Sequence, residues 1–274
     1  MSIHSLFALS LVALSLSPQH AAAQDSTNAK PATSAEELAK KLSNPVASLI
    51  SVPFQNNTDV AIGPYNGYRN TTNFQPVIPI SISASWNLIA RIVLPIISQK
   101  NVLGEGSQQT GLSDAVVSAF FSPAAPKNGL IWGAGPVFLV PVATDKFLGT
   151  EKFGIGPTAL LLKQTNGWTL GALVNQIWSV AGAKERSEVN QFYLQPFINY
   201  NYKSGAGLGL TSETTWNWTA STTTSFLVPS VSGVTKLGKQ IVSLAIGPRI
   251  QVAAPEGSAA DFGVRAVVVF VFPK

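Results

Sequence analysis

From about residue 46 onward the chain repeats one pattern: short stretches in which apolar side chains alternate with small or polar ones. About twelve such stretches follow one another, each close to the nine to eleven residues that a tilted transmembrane strand needs. The last covers Phe262–Phe272. Period two places successive side chains on opposite faces, so each strand meets two different surroundings. No window after the first 23 residues holds an unbroken apolar run long enough for a spanning helix. Only helices and closed barrels satisfy the backbone within lipid. The pattern therefore predicts an all-β fold over residues 46–274: a transmembrane, up-and-down antiparallel β-barrel of about twelve strands in a bacterial outer membrane.

Composition supports that class. Charged residues make up 11 % of the chain, against about a quarter in soluble proteins. The run Leu6–Leu16 is apolar but too short to span, and Ala21, Ala22 and Ala23 fit a small-residue cleavage site. Residues 1–23 are thus expected to be a signal peptide, although its start carries no Lys or Arg, and the mature chain to begin near Gln24. Cleavage removes His4, His20 and Met1, and the sequence has no Cys. A mature chain without His or Cys has no disulfides, no Cys/His zinc site and no imidazole-based triad. No cofactor and no metal are expected. The net charge of +5 is spread thinly, without the basic patch that nucleic acid requires.

Residues 24–45 read as a periplasmic linker with a short helix. Ser34 and Glu37 form a capping-box pattern that opens a helix to about Leu42. Leu38 and Leu42 share one face of it. Two readings stay open, a tether outside the barrel and a plug folded into the lumen. The predicted strands are 46–54, 73–83, 86–97, 110–121, 129–141, 153–164, 167–179, 189–202, 206–218, 223–232, 239–252 and 261–272. The connections tend to alternate in length, with 55–72 the longest, and this places both termini in the periplasm.

The tryptophans sort by strand end. Trp86, Trp132 and Trp168 fall at the terminus-bearing rim, with Tyr200, Tyr202, Phe270 and Phe272. Trp178, Trp216 and Trp218 fall at the opposite rim. Aromatic girdles belong at those two levels, whereas the core of a soluble β-sandwich would not sort this way. In the third strand, Trp86, Leu88, Ala90, Ile92, Leu94 and Ile96 are expected to face lipid. In the eleventh, Val242, Leu244, Ile246, Pro248 and Ile250 are expected to do so. The sixth and seventh strands are ambiguous, being apolar on both faces.

Several phrases carry a family resemblance. They are Asn44-Pro-Val-Ala-Ser-Leu-Ile-Ser-Val-Pro-Phe-Gln-Asn-Asn57, Gly111–Asp114, Gly156–Pro157, Gly167–Trp168, Gln176–Ser179 and Phe272–Lys274. They resemble bacterial outer-membrane transporter barrels akin to those encoded with the meta-pathway of phenol degradation, and more distantly the fatty-acid transport barrels. Where those barrels often show Gly-Leu-Gly-Asp, this chain has Gly111-Leu112-Ser113-Asp114. The resemblance implies the same fold, the same membrane and transport of small, in part hydrophobic, compounds. It implies no catalytic residue and no particular substrate.

Five ionisable residues fall inside strands on faces expected to point inward: Arg91, Asp114, Glu213, Arg249 and Arg265. A charge facing lipid at mid-depth costs about 2–4 kcal/mol for Arg, which assigns them to the lumen. They read either as a constriction that sorts solutes or as a salt-bridged filling of a narrow barrel, with Arg91 reaching Asp114 across adjacent strands. An enzyme is not expected, because Asp114 and Glu213 lie five strands apart. The expected function is a channel or passive transporter for small solutes, hydrophobic or aromatic ones among them. The alternative is a closed barrel acting as a structural anchor or scaffold. The expected partners are the lipid bilayer of the outer membrane, the barrel-assembly machinery and a small-molecule solute.

Overall fold

The computed structural model describes residues 35–45 and 49–272. The predicted leader, its cleavage site, Ser34 and the start of the linker lie outside the described residues. A short helix, α1 (Ala35–Leu42), precedes twelve antiparallel strands. They are β1 (Ile50–Ile62), β2 (Gly67–Phe74, resuming at Val77–Ser81), β3 (Trp86–Lys100) and β4 (Gln108–Leu112, resuming at Ala115–Pro123). Then come β5 (Leu130–Val140), β6 (Lys152–Thr165), β7 (Trp168–Gly182) and β8 (Asn190–Asn201). The last are β9 (Ala206–Asn217), β10 (Thr222–Leu237), β11 (Gln240–Pro248, resuming at Ile250–Ala253) and β12 (Ala260–Phe272). Neighbours in sequence are neighbours in the sheet, and β1 pairs with β12 from Ile50↔Phe272 to Ile62↔Ala260, which closes the barrel. Every backbone edge is thereby paired, as a hydrocarbon environment demands.

Turn chemistry fixes the register at the rim that carries the strand termini. Asn166 and Gly167 both adopt positive φ between Thr165 and Trp168, the two-residue hairpin that suits the twist of the flanking strands. Close strand approach demands glycine elsewhere. A Cβ on Gly156 would sit 1.7 Å from the Gln176 carbonyl oxygen, and one on Gly247 1.9 Å from that of Pro229.

Two boundaries differ from expectation. The segment 55–72 is not a loop: it forms most of β1 and β2, turning at Gly63–Asn66. It reads in the sequence as the longest connection, between strands 46–54 and 73–83. Gln55, Asn57 and Asp59 instead point into the barrel. On the outer face Asn56 and Thr58 are satisfied by Asn70 and Thr72, through side-chain hydrogen bonds of 2.7–3.1 Å. The longest connection is 141–151. The predicted turn at 233–238 is also strand: β10 runs on to Leu237, which pairs with Gln240.

The predicted facing of β3 and β11 is present. Trp86, Ile96, Leu244, Ile246 and Ile250 are exposed, whereas Asn87 and Ile89 are buried. Val242 shares the outer face but is covered. The ambiguity of β6 and β7 also resolves. Leu161, Trp168, Leu170, Trp178 and Val180 are exposed outside, while Leu160, Leu162, Leu173 and Ile177 are buried inside. Both faces are apolar because the lumen behind them is packed rather than wet.

That packing occupies the terminus-bearing half. Val77, Ile89, Phe120, Leu160, Leu162, Leu173 and Phe197 form one cluster of inward side chains. Across the lumen α1 fills the remaining space: Leu38 and Leu42 pack on Val234, Ile241, Val269 and Val271, all on inward faces. The Gln164 side chain donates to the Lys40 carbonyl at 2.7 Å, and Asn201 donates to the Ser43 hydroxyl at 3.1 Å. The neighbouring wall is cut back to admit the helix, with Gly205 against Ala35. Of the two readings for this segment, the structure selects the plug. Two apolar side chains one helical turn apart need an apolar partner, and the lumen supplies it.

Candidate functional site

Above the packed half the inward residues change character. Gln55, Asn57 and Asp59 of β1, Arg69, Thr71 and Asn73 of β2, and Gln191 and Gln195 of β8 replace the aliphatic side chains. Together with residues of the remaining strands they enclose a cavity of about 520 Å³ that extends to Val102, Pro255 and Ser258 at the loop-bearing rim. The volume falls within the range of small-molecule sites, roughly 300–1,000 Å³.

Strand irregularities place several of the key groups. β2 breaks at Gln75–Pro76, β4 at Ser113–Asp114 and β11 at Arg249, and the β1–β2 register shifts between Asp59 and Ile62. Such irregularities re-aim side chains where a continuous ladder would not. Each of these four carries a polar group of the lumen or its rim: Gln75, Asp114, Arg249 and Asp59.

The charges form two ion pairs and two further guanidinium sites. Arg265 donates to Glu213 through both terminal nitrogens at 2.6 Å, and its Nε donates to Asn57 at 2.7 Å. This is the planar two-point geometry that favours Arg with carboxylates. The Arg249 guanidinium donates to Asp59 and lies 3.2 Å from the centre of the Phe226 ring. That pair is less complete: Asp59 Oδ1 and Arg249 Nε are buried without a hydrogen-bond partner. A buried unsatisfied polar group costs about 1–3 kcal/mol. Arg91 donates to the amide oxygen of Gln75 at 2.9 Å, and Arg69 to that of Gln99 at 2.8 Å. Neither pairs with a carboxylate among the described residues.

Of the five residues singled out in the sequence, Arg91, Glu213, Arg249 and Arg265 meet in the lumen, and Asp114 does not join them. Arg91 lies opposite Ser118 in the β3–β4 ladder, so Asp114 stands four residues, about 13 Å, further toward the loops. Its carboxylate accepts from the backbone N–H and hydroxyl of Thr150, each at 2.6 Å, and from the Ala143 N–H at 3.3 Å. It pins the 141–151 loop to the rim. The expected Arg91–Asp114 contact is replaced by Arg91–Gln75. Three cavity residues escaped sequence reasoning: Asp59 and Arg69, hidden in the segment read as a loop, and Tyr193, whose strand gave no cue to depth.

A second fastening holds the loops. Arg186 donates to the carbonyls of Lys146 and Gly149, at 2.8 and 2.5 Å. Lys152 pairs with Glu188 at 2.7 Å. Hydrogen bonds from Lys152 and Ser179 hold the Glu188 carboxyl below its usual range.

No family model matches this chain, and no curated protein matches it. Solved structures do. The COG4313 outer membrane channel from Pseudomonas putida F1 superposes with a TM-score of 0.63 at 15 % identity, covering 82 % of this chain and 94 % of that one. The outer membrane phospholipase of Salmonella typhi gives 0.45 at 10 % identity, over 81 % and 90 %. That of Escherichia coli gives 0.43 at 11 %, over 81 % and 96 %. At these identities the likeness is one of fold, and it rests on the first of the three. The fold is that of an outer-membrane barrel, in keeping with the resemblance seen in the sequence, and the exposed apolar belt suits that membrane.

Proposed function

We propose that this barrel is an outer-membrane channel or passive transporter for small solutes, hydrophobic or aromatic ones among them, which enter from the loop-bearing end. The observation that carries the reading is the polar, arginine-lined cavity set into one end of a lipid-facing barrel. A barrel that served only as an anchor gains nothing from holding three guanidiniums around open space. No catalytic role is assigned to Asp59 or Glu213, each of which is ion-paired. Residues 1–23 act as the export leader, and the barrel-assembly machinery inserts the mature chain. The intact mass of the membrane-extracted protein, expected to start near Gln24, checks that part.

One observation favours the scaffold reading: the terminus-bearing half is packed, with α1 seated in it. Planar-bilayer conductance separates the two. The intact barrel is expected to conduct in brief, small steps. Leu38→Asp, which unseats α1 while leaving the twelve strands intact, is expected to raise the open time at least tenfold. A correctly folded Leu38→Asp barrel that stays silent decides for the scaffold.

A further inference from the structure

We infer that the cavity is a binding site for a small amphiphilic organic anion, a carboxylate carried on a compact aromatic body. This names the solute class of the proposed channel and rests on that reading, although binding is read independently of flux.

The charge balance comes first. Arg69, Arg91 and Arg249 line the cavity, with Arg265 behind its wall, and only Asp59 and Glu213 oppose them. Four cations against two anions leave an excess of two positive charges. The two acids are engaged by Arg249 and Arg265, so the excess sits on Arg69 and Arg91. Each of these is oriented by a neutral amide oxygen, from Gln99 and Gln75. An amide oxygen fixes a guanidinium without neutralising it, and the guanidinium has five N–H donors. Within a low-dielectric barrel such a field concentrates anions and disfavours cations.

The second observation is that the cavity lining is of two kinds. Polar side chains come chiefly from β1, β2, β8 and β9. Among them Val93, Val116 and Ile177 of β3, β4 and β7 add aliphatic surface, and Tyr193 and Phe226 contribute ring surface. An inorganic anion leaves this apolar surface unused. A neutral hydrocarbon leaves two guanidiniums without a counter-charge. A ring bearing one carboxylate matches both kinds of surface and fits the volume of about 520 Å³. Bidentate capture of a carboxylate by arginine is the favoured geometry for such a head group.

The test uses the purified, folded barrel in detergent and calorimetric titration with four probes: benzoate, benzamide, benzylammonium and inorganic phosphate. Benzoate is expected to bind at least tenfold more tightly than benzamide and phosphate, and benzylammonium not at all. Arg91→Gln and Arg69→Gln are each expected to weaken benzoate at least fivefold and to leave benzamide unchanged. Equal binding of benzoate and benzylammonium, phosphate matching benzoate, or no binding of any probe overturns the inference. If neither variant folds, the ranking of the four probes on the unaltered barrel decides. A barrel that ranks the probes as expected but never conducts keeps this site and loses the channel. One that conducts but binds all four alike does the reverse.

Discussion

Along β4, Phe120 has no solvent-accessible surface, whereas Val116, four residues nearer the loops, lines a cavity. Both point inward from one strand. The contrast holds over most of the barrel. The terminus-bearing half is filled by aliphatic and aromatic side chains and by α1, and the loop-bearing half is largely polar and hollow, except where Val137, Leu139 and Ile177 of β5 and β7 pack together. Eight strands enclose an interior that side chains alone fill, and a wider barrel leaves room to spare. Here twelve strands close a lumen that wall side chains fill on one side and a helix fills on the other. The strand ladder therefore does not decide what the lumen does. The volume and polarity of inward residues at each level decide it.

The sharpest way to break this comparison is to treat the two halves alike. Glu213→Ala strips Arg265, buried behind the cavity wall, of its partner and should destabilise the barrel by about 3–5 kcal/mol, the cost of an uncompensated buried charge. The midpoint of urea unfolding in lipid vesicles reads this. A change below 1 kcal/mol would mean that water reaches Arg265 and that the polar half extends deeper than the structure shows.

Leu173→Ala probes the packed half in the same assay. A void among Leu160, Leu162 and Phe197 should cost about 2–5 kcal/mol. Thr71→Ala, on the cavity wall, should stay within about 0.5 kcal/mol. Equal effects at the two positions would erase the distinction between a dry half and a wet one.

The smallest effect belongs to the Lys152–Glu188 contact, in which Lys152 is buried and Glu188 is exposed, the counterpart of the Arg265–Glu213 pair buried on both sides. The Glu188 carboxyl is held below its usual range. Its contribution is therefore complete above the ordinary carboxylate pKa and is lost as pH falls through the lowered value. Amide exchange in 183–189 should be slower in the unaltered protein than in Glu188→Gln at neutral pH, and the two should converge in acid. No difference at neutral pH would show that the loop is fastened by Arg186 alone, and one that persists in acid would show that Glu188 acts without its charge.

Much of this was legible in the sequence, for reasons tied to particular residues. Trp86, Trp132 and Trp168 at one rim and Trp178 and Trp218 at the other mark two interfaces. The alternation of β11 survives because its outer face meets lipid. β1 and β2 were obscured because Asn56, Thr58, Asn70 and Thr72 satisfy one another on the outer surface, so neither face reads as apolar. The misplacement of Asp114 has another cause. Pattern gives a residue its face but not its height, and height depends on a break in β4 that shows only in three dimensions.

The seat of α1 has a kinetic meaning. Leu38 and Leu42 together withdraw apolar surface worth about 3–6 kcal/mol. At about 1.4 kcal/mol per decade, that corresponds to an undocked population of roughly one molecule in 10²–10⁴. On the channel reading, the cavity exchanges continuously with the compartment outside the loops and reaches the other side only during those rare excursions. At rest the barrel is a receptor that reports the concentration on one side. The frequency with which a helix of eight residues leaves its seat, rather than the width of the lumen, sets how fast anything crosses.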